Sequence, residues 1–227
     1  MLWIERLLDF LAPQYCMVCG AEGAVVCAWC LPDFAPPVPL RCYSCRVITD
    51  NGLVCRRCRR HSRLKHVWVR TEYEDGAKQL IHDFKFERKQ AAALPIARMM
   101  AECLPFLQPD TLITHVPTAT HRVRRRGYDH AELLARALAQ ELGLEHRTLL
   151  RRVTQTRQVR SKRAERLSQM RHAFRPVRSE EVQKATILMV DDLTTTGATI
   201  ESAARCLREA GAKTVDAVVF AQKEYKD

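Results

Sequence analysis

Past His61 the apolar positions of the chain alternate between strand-like and helix-like spacings. HVWVRTEY (66–73) is dense in β-branched and aromatic residues and predicts a strand. GAKQLIHDFKF (76–86) and ALPIARMMAECL (93–104) repeat their apolar residues at helical spacing. TLITHVP (111–117) predicts a short buried strand that stops at Pro117. Asp129 with Glu132 three residues on has capping-box spacing, and opens a helix through AELLARALAQELG that closes at Gly143. ATILMVDD (185–192) predicts a strand, TIESAARCLREAG (199–211) a helix and TVDAVVFAQ (214–222) a last strand. Strands alternating with helices predict an α/β fold with a mostly parallel sheet flanked by helices, and ligands of such sheets bind beyond the carboxyl ends of the strands.

The first residues differ from this pattern. MLWIERLLDFLAP predicts a short amphipathic helix lying on its own domain, about half the roughly 20 residues of a bilayer span and interrupted by Glu5, Arg6 and Asp9. It lacks the basic start and small-residue cleavage site of a signal peptide, so a cytoplasmic protein without membrane insertion is expected. A length of 227 residues with 47% hydrophobic content suits one ordinary domain and a small one, with expected bounds 1–62 and 63–227. The net charge of +11 is uneven: Arg151 to Arg175 holds nine Lys or Arg against the single acid Glu165, and the rest is close to balanced. That run predicts a flexible basic loop, 151–175, able to hold phosphates or nucleic acid.

Eight of the ten cysteines form four CxxC pairs, Cys16/Cys19, Cys27/Cys30, Cys42/Cys45 and Cys55/Cys58. Each CxxC turn converges two thiolates, and two turns complete a tetrahedral zinc site, so four pairs predict two structural zinc ions with no open coordination position. The proline-rich spacer LPDFAPPVPL (31–40) favours sequential pairing into two knuckles over an interleaved cross-brace joining the first pair to the third. With few large apolar side chains, this region depends on metal for its fold. Cys103 and Cys206 lie in helical patterns and read as plain thiols, and core packing is the expected use of Trp29, Tyr43 and Trp68.

ILMVDDLTTTGATIESA (187–203) sets two adjacent carboxylates between an aliphatic strand and a threonine-rich turn that enters a helix. Neighbouring strand-end residues point apart, so Asp191 and Asp192 are suited to two hydroxyls of a sugar. The unpaired N–H groups of the helix start, Gly197 and the hydroxyls of Thr194, Thr195, Thr196 and Thr199 suit a phosphate. A diol on the acids and a phosphate in the turn describe a ribose 5-phosphate. No GxxxxGK[ST] or GxGxxG motif is present, which excludes the common nucleotide and dinucleotide loops.

VDDLTTTGAT resembles the phosphoribosyl pyrophosphate (PRPP) loop of type I phosphoribosyltransferases, and the four CxxC pairs before it resemble the double zinc ribbon of the ComF family. Members of that family are associated with competence for DNA uptake or described as amidophosphoribosyltransferases. LIHDFKF with Lys85 and Phe86, THVPTATHRVRRRGYDHAELLA, and the stretch from Arg152 through Gln158 and Arg166 to Ala173 and Phe174 follow in the family's order. HVPT and RGYDH stand where the family carries PVPL and RGFNQ.

The resemblance implies a type I phosphoribosyltransferase-like domain after a small double zinc ribbon. It implies PRPP binding by Asp191, Asp192, Leu193, Thr194, Thr195, Thr196, Gly197, Ala198 and Thr199, with Val116, Pro117, Lys85 and Arg126 toward the pyrophosphate. Mg²⁺ would accompany PRPP, Asp191 and Asp192 would act in catalysis, and Arg152, Arg163 or Arg166 would close over the leaving group. The acceptor is not specified, because a zinc ribbon stands where the enzymes carry the hood that selects it. A second expectation of another class is a non-catalytic adaptor in DNA uptake that binds single-stranded DNA and uses PRPP as a ligand. Competence-machinery proteins are candidate partners, and docking through residues 1–60 alone is a third reading.

Overall fold

The computed structural model describes residues 15–86, 90–153 and 173–223. The predicted N-terminal helix (1–13) and most of the basic run, with Arg163 and Arg166, lie outside the described residues.

The described residues form seven strands: β1 (Val67–Glu72), β2 (Leu112–His115), β3 (Glu145–His146), β4 (Leu150–Arg152), β5 (Phe174–Pro176), β6 (Thr186–Thr194) and β7 (Thr214–Gln222). Five make one sheet in the order β1-β7-β6-β2-β3, with every pairing parallel. β4 and β5 pair antiparallel, Arg152 opposite Phe174, and so bracket the basic run with a two-stranded ribbon.

The helices are α1 (Leu31–Phe34), α2 (Asp75–Phe86), α3 (Ala93–Glu102), α4 (Thr120–Arg126), α5 (His130–Leu142), α6 (Ser179–Val182) and α7 (Ala198–Glu209). A parallel sheet covered on both faces needs apolar residues at successive positions, which the ILMV run of β6 supplies. Leu188 and Val190 join α2, α3 and α5 on one face, packed with Leu80, Phe84, Ile96, Met100, Leu134 and Leu138. Ile187 and Met189 join α7 on the other, packed with Ile200, Ala203, Ala204 and Leu207. The cysteine-rich part feeds both cores, with Val25, Val26 and Ala35 in the first and Cys42, Tyr43, Val54 and Leu64 in the second.

Within the described residues the expected strands and helices form, with informative shifts. α5 is capped by Asp129, whose side chain accepts from Ala131 N, and stops at Gly143 with φ 65°. Glu132 does not close a capping box but pairs with Arg136 one turn on at 2.7 Å. β6 runs two residues beyond the predicted end because Leu193 and Thr194 keep their ladder partners Ala221 and Gln222 on β7. α4 was not predicted: THRVRRR offers a single large apolar residue, so no amphipathic period is visible.

Candidate functional site

Asp191 and Asp192 lie at the carboxyl end of β6, where the α/β rule places a ligand. Their environments differ sharply. Asp192 is 2% exposed, forms an ion pair with Lys85 at the end of α2, and meets His130 Nε2 at 3.2 Å from the start of α5. His130 Nδ1 lies 2.9 Å from Arg126 Nη1 at the end of α4. A guanidinium only donates, so Nδ1 accepts and Nε2–H donates to Asp192. Burial alone would raise the Asp192 pKa, but the Lys85 ammonium and the His130 hydrogen bond outweigh it and hold the carboxyl well below its usual range. Asp191 keeps some surface and accepts the Asp192 backbone N–H at 2.9 Å. Its deep setting and then the neighbouring Asp192 charge push its pKa well above the usual value.

Asp191 and Asp192, both expected at the hydroxyls of a sugar, sit in unlike surroundings. Asp192 is buried and engaged by Lys85 and His130; of the two, Asp191 alone retains surface for a ligand. The carboxyls are split, one kept ionised by its cation and one favouring its proton beside that charge.

Beyond β6 the turn is short, Thr195 to Gly197, and α7 begins at Ala198. Thr195 and Thr196 are exposed, Thr194 and Gly197 are buried, and Leu193, Ala198 and Thr199 are half-buried. Gly197 has φ 77°, which favours glycine, and a Cβ there would stand 2.3 Å from Cε2 at the edge of the Tyr43 ring. The close approach expected from a phosphate is taken, on this flank, by an aromatic side chain of the cysteine-rich part.

Val116 and Pro117 are buried beside the acid pair, Val116 N donating to Val190 O at 3.0 Å. Thr118 donates from N and Oγ1 to the Asp129 carboxylate, which ties this turn to the start of α5. His115, at the head of the same turn, is 3% exposed and stacked on His146, and burial lowers its pKa. Next to Asp192 opens a cleft of about 310 Å³ whose lining among the described residues is Tyr73, Ile81, His82, Lys85, Arg122, Arg125 and Arg126. The structure therefore brings together Asp191, Asp192, Lys85, Arg126, Val116 and Pro117 at the end of β6. Sequence reasoning missed His130, Arg122 and Arg125. The run RVRRRGYDH held the signal, but assigning it required knowing that α4 and α5 converge on β6.

The thiols group sequentially, Cys16, Cys19, Cys27 and Cys30 in one cluster and Cys42, Cys45, Cys55 and Cys58 in the other, with the sulfurs of each within 4.8 Å of one another. Tetrahedral zinc with bonds of about 2.3 Å sets its sulfurs about 3.8 Å apart. Cys19 and Cys27 stand at 3.7 Å and Cys45 and Cys55 at 3.5 Å, so both sets fit zinc. The thiols of each cluster shift in both directions: backbone hydrogen bonds from Cys19 and Cys27 lower Cys16 to about 6 and one from Cys58 lowers Cys55 to about 7, while a hydrogen bond with Cys27 raises Cys30 and burial raises Cys58, both to about 12. Burial pushes Cys103 and Cys206 up to about 11, in keeping with plain thiols. Tyr43 and Trp68 are core residues, whereas Trp29 is 92% exposed and does not pack as expected. No helix among the described residues is long and apolar enough to cross a membrane.

Residues 123–226 match the phosphoribosyl transferase domain family. DNA utilization protein YhgH of Salmonella typhimurium is 31% identical over 221 residues, covering 89% of this chain and 94% of that protein. Competence protein ComFC of Bacillus subtilis is 26% identical over 220 residues, covering 86% and 89%. Among solved structures, the glutamine PRPP amidotransferase from B. subtilis aligns with a TM-score of 0.46 at 19% identity, over 62% of this chain and 30% of that one.

Proposed function

Taking as premise that the chain belongs to the ComF family of phosphoribosyltransferase-like proteins, we propose that it binds PRPP at the end of β6 and transfers its ribosyl phosphate with release of pyrophosphate. One observation carries this reading: Lys85 belongs both to the acid pair and to the cleft where, among the described residues, Arg122, Arg125 and Arg126 gather. A ligand with a hydroxyl-bearing middle and an anion at each end suits that succession of turn, acid and cleft.

In this reading the 5-phosphate takes the N–H groups and hydroxyls of the Thr195–Thr199 turn. Asp191, with surface remaining, meets the ribose hydroxyls. The pyrophosphate lies toward Lys85, Arg122, Arg125 and Arg126, whose charge favours its departure. Asp192 acts through position, holding the Lys85 ammonium at the cleft edge and the His130 ring in one tautomer. Mg²⁺, which takes one or two carboxylates together with substrate phosphates, would find its protein oxygen at Asp191 and supply charge neutralisation for the pyrophosphate. Calorimetry with Mg²⁺ and PRPP tests the reading: saturable binding that Asp191→Asn weakens strongly supports it, and absence of binding by the parent protein sinks it. Pyrophosphate release in an acceptor screen tests the transfer step.

A second reading is that the protein also holds single-stranded DNA, as the names of its DNA-utilization and competence relatives suggest. A specific surface favours it. A groove of about 280 Å³ at the amino ends of β1 and β7 is lined by Arg59, Arg63, Lys65, Arg208 and Lys213, none ion-paired with a carboxylate among the described residues. Exposed Arg56, Arg57 and Arg60 adjoin these residues in sequence, a second basic run that the overall charge balance concealed. If the five lining cations each neutralise one phosphate, log K falls with log salt at a slope of about −3.5. Arg59→Glu with Arg63→Glu should flatten that slope; an unchanged slope removes this groove from consideration.

A further inference from the structure

One side chain links the second cysteine cluster to the threonine turn. Tyr43 sits between Cys42 and Cys45, and its ring lies against Gly197. Its hydroxyl donates to Glu201 Oε2 at 3.1 Å, in the first turn of α7. The same carboxylate accepts Ser62 Oγ at 2.7 Å and the Arg63 backbone N–H at 2.7 Å. On the strand side, Gln222 Nε2 donates to the Tyr43 carbonyl at 2.8 Å, and Gln222 is the ladder partner of Thr194, the residue that enters the turn. Tyr43 thus contacts the exit of the turn into α7 directly and reaches its entry from β6 through Gln222.

Two details indicate a brace and not a plug. Thr195 and Thr196 stay exposed while Gly197 is buried, so the ring covers one flank of the turn and leaves its tip open. A first-turn acid such as Glu201 would ordinarily compete with an anion for the positive end of the helix. Here Tyr43, Ser62 and the Arg63 N–H occupy both of its oxygens and turn its charge toward the cysteine-rich part.

We propose that Tyr43 is a positioning residue through which the second cysteine knuckle fixes the anion-binding geometry of the Thr195–Gly197 turn, a proposal that rests on the PRPP reading above. The ring sets where Gly197 lies, and the hydroxyl holds Glu201 away from the site.

The test compares the full-length parent, Tyr43→Ala and Tyr43→Phe for zinc content, hydrogen exchange of the Ala198–Glu201 amides, and calorimetric affinity for PRPP with Mg²⁺. Tyr43→Ala is expected to keep the parent's metal content, exchange those amides about tenfold faster and bind PRPP about tenfold more weakly. Tyr43→Phe, which keeps the ring on Gly197 and loses only the Glu201 bond, should fall between the two in both readouts, and it decides the matter if Tyr43→Ala sheds metal. Unchanged exchange overturns the proposal, as does unchanged affinity, since a purely structural role lowers the melting point and leaves the affinity of the folded protein alone. If the parent itself binds no PRPP, the functional reading falls, and unchanged exchange in Tyr43→Ala is what separately overturns the brace.

Discussion

Replacing Lys85 by Met removes the ammonium from Asp192 while keeping most of the side-chain volume. The side chain of Asp192 is 3% exposed and that of Lys85 15%, so the pair is screened little by water. Taking one partner from a buried pair costs about 3–5 kcal/mol, because the other charge is left in a poor medium. His130 still donates to Asp192 at 3.2 Å and Lys85 keeps some surface, which puts the loss near the lower end, about 3 kcal/mol. For a chain of this size that is a fall of about 6–12 °C in melting temperature. The assay is a double-mutant cycle of Lys85→Met, Asp192→Asn and the pair together, by urea denaturation. The double variant should sit close to Asp192→Asn, with a coupling of about 2 kcal/mol or more. The pH dependence follows from the depressed Asp192 pKa: its stabilisation is complete above the unfolded value of about 4 and is lost as pH falls below it. In Lys85→Met burial instead raises Asp192, so the deficit of the variant should shrink on acidification as the carboxyl takes up a proton. A coupling below about 0.5 kcal/mol would show that Lys85 does not hold Asp192 in solution.

Asp191 has the opposite sign: its raised pKa contributes stability that is present below the unfolded value and lost as pH rises through the folded one. Asp191→Asn should therefore match the parent near pH 4 and exceed it in urea midpoint toward pH 8; a parent equally stable at both relative to the variant refutes the split. Gly197→Ala must place a Cβ at φ 77° against the Tyr43 ring, and should lose about 2–4 kcal/mol by denaturant titration. Cys42→Ser should cut zinc content by about one ion per chain in metal analysis and raise hydrogen exchange around residues 41–60; an unchanged metal content contradicts the sequential cluster.

Much of the scaffold was legible because local pattern and tertiary demand coincide. β7 occupies the predicted residues Thr214–Gln222, and α5 is shifted by one position at each end, its limits set by Asp129 and Gly143. The cysteine grouping followed from short spacings and a stiff proline link. The interior of the site was less legible because its partners are distant in sequence. Asp192 reads as a ligand group beside Asp191, yet its neighbours arrive from the end of α2 and the start of α5. Tyr43 reads as a core residue and is one, but its bond to Glu201 spans 158 positions and no local period announces it. Trp29 failed for the converse reason: a large aromatic beside two cysteines invites packing, and the short α1 that follows Cys30 buries none of its own residues.

The division of the two aspartates bears on how such a site tolerates a polyanion. Two ionised carboxylates side by side would repel phosphates at both ends of the ligand, and each would raise the other's pKa. The fold removes half of that repulsion by burying Asp192 against Lys85, and Asp191 responds to the remaining charge by favouring its proton. Asp191 is thereby shifted toward its protonated form beside the cations of the adjoining cleft. Arg126 donates to His130, and His130 and Lys85 both donate to Asp192, so the carboxylate joins the ends of three helices, α2, α4 and α5, at one atom group. A residue with that many partners is fixed before any ligand arrives, which is the condition for an electrostatic contribution that costs little reorganisation. Asp191, with one hydrogen bond to the Asp192 N–H and surface to spare, is left as the member able to answer a ligand.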